Sequence, residues 1–269
     1  MSAQGSGNRT VFVTGSDRGI GKAIAIAFAR TGAKVAVHGL ASPQEAQAVL
    51  EELREAGSAE SRFFSGDLRD PSAISDLLDA VTNWGHIDIL VNNAGIQKTS
   101  PLPEVTDVLW NDVLAINLSA PFHLMRRLLP NMAKRGFGRI INIASVHGLV
   151  ASVNKAPYVT AKFGLVGLSR VAALEYASVG DALSGGVTVN CICPGFVDTT
   201  LLSAQISDRG TDLGISADEA VASLLSEKQP SRRLSFPDEI ARLAVWLSAA
   251  ESHNITGAAI PIDGGWTAQ

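Results

Sequence analysis

The sequence predicts an α/β protein built on one doubly wound, mostly parallel sheet of about seven strands, with helices on both faces. Short β-branched runs alternate with helix-period segments from one end of the chain to the other. Several of those runs are almost continuously apolar, as strands are when helices cover both sides of a sheet. A glycine-rich turn joins the first strand to the first helix, the place where such sheets bind phosphates. With 269 residues, 46% hydrophobic and 18% charged, the chain has material for one large core. No Pro/Ser-rich linker, repeat or low-complexity tract divides it, so 1–269 is read as a single domain with 1–9 as a flexible tail.

The expected strands are TVFVT (10–14), KVAVH (34–38), SRFFS (61–65), IDILVN (87–92), GRIINIA (138–144), GVTVNCI (186–192) and AAIPI (258–262). Helical periodicity marks GIGKAIAIAFART, PQEAQAVLEELREA, PSAISDLLDAVTNW, the long stretch 105–134, PYVTAKFGLVGLSRVAALEYA and PDEIARLAVWLSAA. Strands and helices alternating in this way form right-handed crossovers. Residues 199–229 interrupt the rhythm with a helical insertion before the last strand. It begins at the carboxyl end of the sixth strand, where ligands sit in open sheets, so it is either a substrate lid or a helical decoration.

A net charge of −4 gives no electrostatic case for nucleic acid or an anionic membrane as partner. No apolar run reaches the roughly 18 to 20 residues that span a bilayer, and the first residues lack the apolar core of a secretion signal. Cys191 and Cys193 stand two apart in an expected strand, too close for a disulfide and without companion histidines for a metal. Packed free thiols fit a reducing cytoplasm. His38, His86, His123 and His253 have no metal-ligand spacing and are read as surface or packing residues; no metal is expected.

The turn TGSDRGIG (14–21) follows the first strand and opens the first helix. Gly15, Gly19 and Gly21 permit a tight turn and close approach of backbone to a pyrophosphate, which the helix amino terminus then attracts. Toward the chemical end, Tyr158 and Lys162 are four residues apart and share a helix face, with Pro157 suited to the first turn. An ammonium beside a phenol is expected to pull its pKa down from about 10 toward the general acid–base range. Ser145, at the end of the fifth strand, is placed to hydrogen-bond a reacting oxygen.

TGxxxGIG, NNAG at 92–95, and a Ser thirteen residues before YxxxK together resemble the short-chain dehydrogenase/reductase family over nearly the whole chain. The resemblance implies a Rossmann-type fold, a nicotinamide cofactor, and oxidation or reduction of a CH–OH group. It implies that Ile20, Asn93, Ala94 and Gly95 lie against the cofactor and that Asp67, in SGDL, stands beside the adenine. It also implies that Lys162 and Tyr158 contact the nicotinamide ribose. Asn117, in LAINLSAPF, matches a fourth catalytic residue that holds a proton-relaying water; otherwise it is a helix-bending polar residue. PGFVDT (194–199) matches the motif that docks the nicotinamide carboxamide through Pro194, Gly195 and Val197, with the Thr199 hydroxyl reaching the cofactor. Asp198 is read as a solvated loop acid. Family members are commonly homotetramers, and the apolar helices in 105–135 and 157–179 are candidate interfaces.

The choice between NAD and NADP is open on the residues alone. Gly39 stands where an acid grips the NAD ribose, and Arg18 either meets a 2′-phosphate or lies solvated at the cleft mouth. NNAGIQ, ASVHGLVAS with NK, LLSEKQPS and DGGWTA resemble the branch of the family that oxidises D-3-hydroxybutyrate, an NAD-using branch that also lacks the acid. That likeness leans the cofactor toward NAD. It implies that Gln97, His147, Lys155 and Gln205 surround a small substrate carboxylate. A buried carboxylate needs a cation and several donors, which agrees. Trp266 is a further pocket-wall candidate, and Phe196 stands where that branch usually has Trp. DALSGG (181–186) lengthens a surface loop. Two rivals are a family member acting on a sugar, polyol or 3-oxoacyl thioester, and a nucleotide-binding protein without turnover, which has no need of the complete catalytic set.

Overall fold

The computed structural model describes residues 9–181 and 185–268. The expected tail (all but Arg9) and the middle of the 181–186 loop fall outside the described residues. All seven expected strands form: β1 (Thr10–Val13), β2 (Lys34–Gly39), β3 (Glu60–Ser65), β4 (Ile89–Asn92), β5 (Phe137–Ile143), β6 (Gly186–Pro194) and β7 (Ala259–Ile262). They make one parallel sheet in the order β3-β2-β1-β4-β5-β6-β7. The order reverses between β1 and β4, and a crevice at the carboxyl ends of the strands opens at such a switch point.

Among the described residues the helices are α1 (Gly19–Ala29), α2 (Pro43–Ala56), α3 (Pro71–Trp84), α4 (Asp107–Leu114), α5 (Ala120–Lys134), α6 (Ala156–Tyr176), α7 (Thr200–Leu213), α8 (Ala217–Lys228) and α9 (Pro237–Ser248). Local chemistry starts and stops them. Ser42 and Glu45 form a capping box on α2 with Pro43 in its first turn, and Gly57 ends it at φ 104°. Ser216 and Glu219 cap α8 in the same way. The single helix expected over 105–134 is divided by a π-turn at Ala115–Ser119, which centres on the buried Asn117. Turns of this kind gather at functional sites. The 199–229 insertion is a helical hairpin, α7 and α8, with Gly214 turning the chain at φ 64°.

Each face of the sheet carries its own core. On one, Val11, Val13, Val35 and Ile89 pack with Ile24 and Phe28 of α1 and Ile240 and Leu247 of α9. On the other, Phe12, Leu90 and Ile140 meet Leu77 and Val81 of α3 and Leu124 and Leu128 of α5. Each such side chain contributes about 1.5 to 3 kcal/mol by leaving water. A buried polar chain crosses the second face: Asn92 donates to Asn142 at 2.7 Å, Asn142 to Ser169 at 2.7 Å, and Ser169 to the Leu165 carbonyl at 2.6 Å. It joins β4, β5 and α6, and α6 is the helix that carries Tyr158 and Lys162.

Candidate active site

The carboxyl ends of β1, β4, β5 and β6 surround a cleft of about 540 Å³, closed on one side by α7. At one end lies the glycine turn, where Gly15 and Gly19 take left-handed φ values of 58° and 55°. Gly21 is small for a packing reason, since a Cβ there would run into the Gly15 carbonyl and the Asn93 amide. NNAG holds this turn directly. Asn93 Nδ2 donates to the carbonyls of Thr14 and Gly15 at 3.0 and 2.9 Å, and the N–H groups of Asn93 and Ala94 donate to Thr14 Oγ1 at 3.0 and 3.1 Å. His38 completes the clamp. Its Nδ1 accepts from the Gly15 N–H at 3.1 Å while Nε2 donates to the Gly66 carbonyl at 2.9 Å. These partners assign the neutral tautomer, and burial lowers the pKa of the ring. His38, read from the sequence as surface or packing, thus acts inside the cofactor end; its signal was only its place at the end of β2.

The amino terminus of α1 has no side-chain cap and no acid in its first turn, and its first residues, Gly19 and Ile20, line the cleft, a setting that suits an anion. Asp67, Gly95, Ile20, Pro194, Val197 and Thr199 line the same cleft. Asp67 is tied by the Arg69 guanidinium at 2.7 Å and by the Arg69 N–H at 2.9 Å. Arg18 lines the mouth with its side chain 70% exposed. This turn, bare helix end and elongated cleft fit a dinucleotide.

At the other end, Ser145 follows β5, its Oγ accepting from the His147 N–H at 3.1 Å, and stands beside the buried Tyr158. Lys162, 3% exposed, donates to the Ile143 carbonyl at 2.8 Å, and its Nζ lies 5.6 Å from the Tyr158 ring centre. The expected lowering of the tyrosine does not hold in the free protein. Burial pushes Tyr158 up to about 12, against the neighbouring Ser145 hydroxyl, which lowers it. Burial also brings Lys162 down to about 8, which weakens the ammonium that was expected to act on the phenol. Asn117 does not line the cleft. Its Oδ1 accepts from the Ile96 N–H at 2.9 Å and its Nδ2 donates to the Ile96 carbonyl at 2.9 Å, which fixes the segment after Gly95.

Beyond Tyr158 the cleft is walled by Gln97, His147, Lys155, Phe196, Gln205 and Trp266. Lys155 Nζ donates to Gln205 Oε1 at 2.9 Å, joining the end of the β5 loop to α7, and approaches His147 Nε2 at 3.4 Å. His147 Nδ1 lies 3.3 Å from the Val150 carbonyl, which assigns the proton to Nδ1 and a lone pair to the nitrogen facing Lys155. Burial, with Lys155 adding to it, lowers His147 to about 4. Burial, with Lys228 adding to it, lowers Lys155 to about 8. The indole of Trp266 packs 5.5 Å from the His147 ring and 5.0 Å from Phe196, so the position where an indole was expected is backed by one from the carboxyl terminus.

Gln229, within LLSEKQPS, carries no signal in the sequence that sets it apart. It is 1% exposed, accepts from the Phe196 N–H at 3.2 Å and donates to the Arg233 carbonyl. It thereby couples the end of α8 to the loop after β6. Asp17, equally unmarked in the sequence, lies at the cofactor end, 9% exposed at its side chain.

The short chain dehydrogenase family model matches residues 9–210. A D-beta-hydroxybutyrate dehydrogenase of Rhizobium meliloti is 40% identical over 262 residues, covering 97% of this chain and 99% of the relative. One from Cupriavidus necator is 43% identical, covering 97% and 98%. A solved structure from Beutenbergia cavernae, assigned as an NAD(P)-dependent gluconate 5-dehydrogenase and holding NADP at low occupancy, superposes with a TM-score of 0.86. It is 33% identical, with 97% of each chain covered. Members of the family use nicotinamide cofactors, and the cleft between β1 and β4 is built to take one. The likeness extends from the glycine turn to the last helix, and this chain belongs to the short-chain dehydrogenases and is an oxidoreductase.

Proposed function

We propose that the protein oxidises the hydroxyl of a small 3-hydroxy acid, D-3-hydroxybutyrate in the first instance, to the 3-oxo acid, with NAD as acceptor. One observation carries this reading. Lys155 presents an ammonium to the cleft, and among the described residues only neutral groups, Gln205 and His147, stand at hydrogen-bond distance from it. A half-buried cation held by neutral groups is the complement of a carboxylate brought by the substrate. Two of the relatives are named for that substrate.

The bound nicotinamide supplies the hydride acceptor. The substrate loses a hydride from carbon 3 and a proton from its hydroxyl, leaving a carbonyl. Burial keeps Tyr158 a neutral phenol in the free protein. Beside the positive nicotinamide of the bound cofactor and the Lys162 ammonium that burial would be offset, so its phenolate would take that proton, and the Ser145 hydroxyl orients the same oxygen and balances the charge on it. Lys162 would hold the cofactor ribose and pass the proton from Tyr158 on to solvent. Asn117 keeps Ile96, and with it the NNAG segment, at a fixed distance from this pair. Gln97 and Gln205 direct the carboxylate toward Lys155, while Phe196 and Trp266 limit the chain length. The α7–α8 hairpin acts as a lid, because Gln205 on α7 binds only while α7 lies over the cleft.

We also read the chain as one domain that assembles as a homotetramer. Val108, Trp110 and Phe122 on α4 and α5, and Phe163, Val171 and Leu174 on α6, are large exposed hydrophobics that a partner chain would cover. Two buried free thiols suit a reducing cytoplasm, and no described helix is long and apolar enough to cross a membrane.

The test is NADH formation with D-3-hydroxybutyrate, and with NADP in parallel, in wild-type protein and in Tyr158→Phe. Turnover with NAD that drops about 100- to 10,000-fold in the variant is expected. Wild-type protein that turns over gluconate or a 3-oxoacyl thioester but not the hydroxy acid refutes the substrate.

A further inference from the structure

Strand β2 ends on Gly39, where the ribose-gripping acid of an NAD enzyme stands. The structure fills that place from a different element. Asp17, in the glycine turn, lays its carboxylate across Gly39: a Cβ built on Gly39 would stand 2.7 Å from Asp17 Cγ and 3.0 Å from Oδ2. Asp17, Gly39, Leu40, Gly66 and Asp67 line the same end of the cleft. Gly39 therefore lacks a side chain because the space above it holds a carboxylate.

We infer that Asp17 selects NAD over NADP by accepting hydrogen bonds from the adenosine ribose hydroxyls, in place of the acid missing from the end of β2. The inference rests on the proposed reading of the cleft as a nicotinamide dinucleotide site. Arg18 by itself would favour a 2′-phosphate, but it is turned onto its neighbour, with Nη2 donating to Asp17 Oδ2 at 2.9 Å. Glu45, in the capping box that opens α2, lies close enough to act on the same guanidinium. Two carboxylates around one guanidinium leave this end of the cleft negative. A ribose hydroxyl donates to Asp17, whereas a phosphate dianion meets a like charge there.

Fluorescence titration of NADH and of NADPH into the protein reads this preference without turnover. Wild-type protein is expected to bind NADH at least about tenfold more tightly, the size of one charge-assisted hydrogen bond. Asp17→Ser should weaken NADH about tenfold and strengthen NADPH, so that the ratio of dissociation constants shifts by about 100-fold. Asp17→Asn keeps the shape, removes the charge, and should move the ratio in the same direction. Combining Asp17→Gly with Gly39→Asp clears the Asp17 side-chain contacts that exclude a side chain at residue 39, returns an acid to the end of β2, and should restore the NADH preference. A role confined to the stability of the turn would weaken both dinucleotides alike and leave the ratio unmoved. Wild-type protein that prefers NADPH, or variants whose ratio stays within about twofold while NADH still binds, would overturn the assignment of Asp17 and leave the proposed function standing. Wild-type protein that binds neither dinucleotide would overturn the proposed function and this inference with it.

Discussion

Replacing Lys155 by methionine keeps an unbranched side chain of similar length and removes the charge. In the wild type its Nζ lies 2.9 Å from Gln205 Oε1 and 3.4 Å from His147 Nε2, so it has no strong anionic partner to lose in the free protein. The variant should therefore fold with little penalty, and the cost should fall on the substrate carboxylate. A charge-assisted hydrogen bond contributes about 1.5 to 3 kcal/mol, which lowers kcat/KM for D-3-hydroxybutyrate by about 10- to 150-fold. A neutral alcohol of the same carbon count, 2-butanol, gives Lys155 nothing to bind and should be unaffected. Initial rates of NADH formation with the two substrates read the difference directly. A pH profile adds a second signature. Burial, with Lys228 adding to it, lowers Lys155 to about 8. The ammonium that binds the carboxylate is thus present below that pH and is lost as pH rises through it. For the acid, wild-type kcat/KM should carry a falling component above pH 8 that 2-butanol and Lys155→Met both lack. Equal losses with the two substrates, or no loss with either, would refute the assignment of Lys155 to a carboxylate.

Gly195→Ala places a Cβ 2.7 Å from Gln229 Oε1 and 3.0 Å from Asp263 Cα, the second of these a backbone atom that cannot swing aside. Overpacking of this kind costs about 1 to 3 kcal/mol, and urea melts should show it as a lowered midpoint with an unchanged slope. His147 gives a stability effect with a defined sign. Its pKa in the folded protein, about 4, lies below the ordinary 6.5, so the unfolded chain binds the extra proton first as pH falls. The stability is whole above pH 6.5 and declines toward pH 4, by roughly 3 kcal/mol in all. His147→Gln should flatten that limb in melts between pH 4 and 7, and an unchanged limb would assign the acid sensitivity to other groups.

Much of this arrangement can be read before any coordinate is seen, because it depends on spacing along the chain. Tyr158 and Lys162 share a face through the helical repeat, and the glycine turn is identified by its place between a strand and a helix. The seven strands are found with ends shifted by at most a few residues. The failures involve distances between segments remote in sequence. The lowering of Tyr158 by Lys162 followed from their four-residue spacing, yet burial is a property of everything packed around them, and it dominates both groups. Asn117 shows its identity in the sequence but not its partner, since the Ile96 backbone is brought to it by a loop 21 positions away.

The sequence by itself determined the strands and helices of the sheet, their order along the chain and the residue types of the proposed catalytic set. Hydrophobic period and turn chemistry are local, and a parallel sheet leaves little freedom once strands and helices alternate. Only the tertiary structure decided that His38 clamps the glycine turn, that Gln229 joins the end of α8 to the loop after β6, and that Asp17 occupies the place left by Gly39. Each is a contact between separate elements, set by how closely the backbones approach. A glycine in the sequence shows that a side chain is missing; the packed fold shows what takes its space.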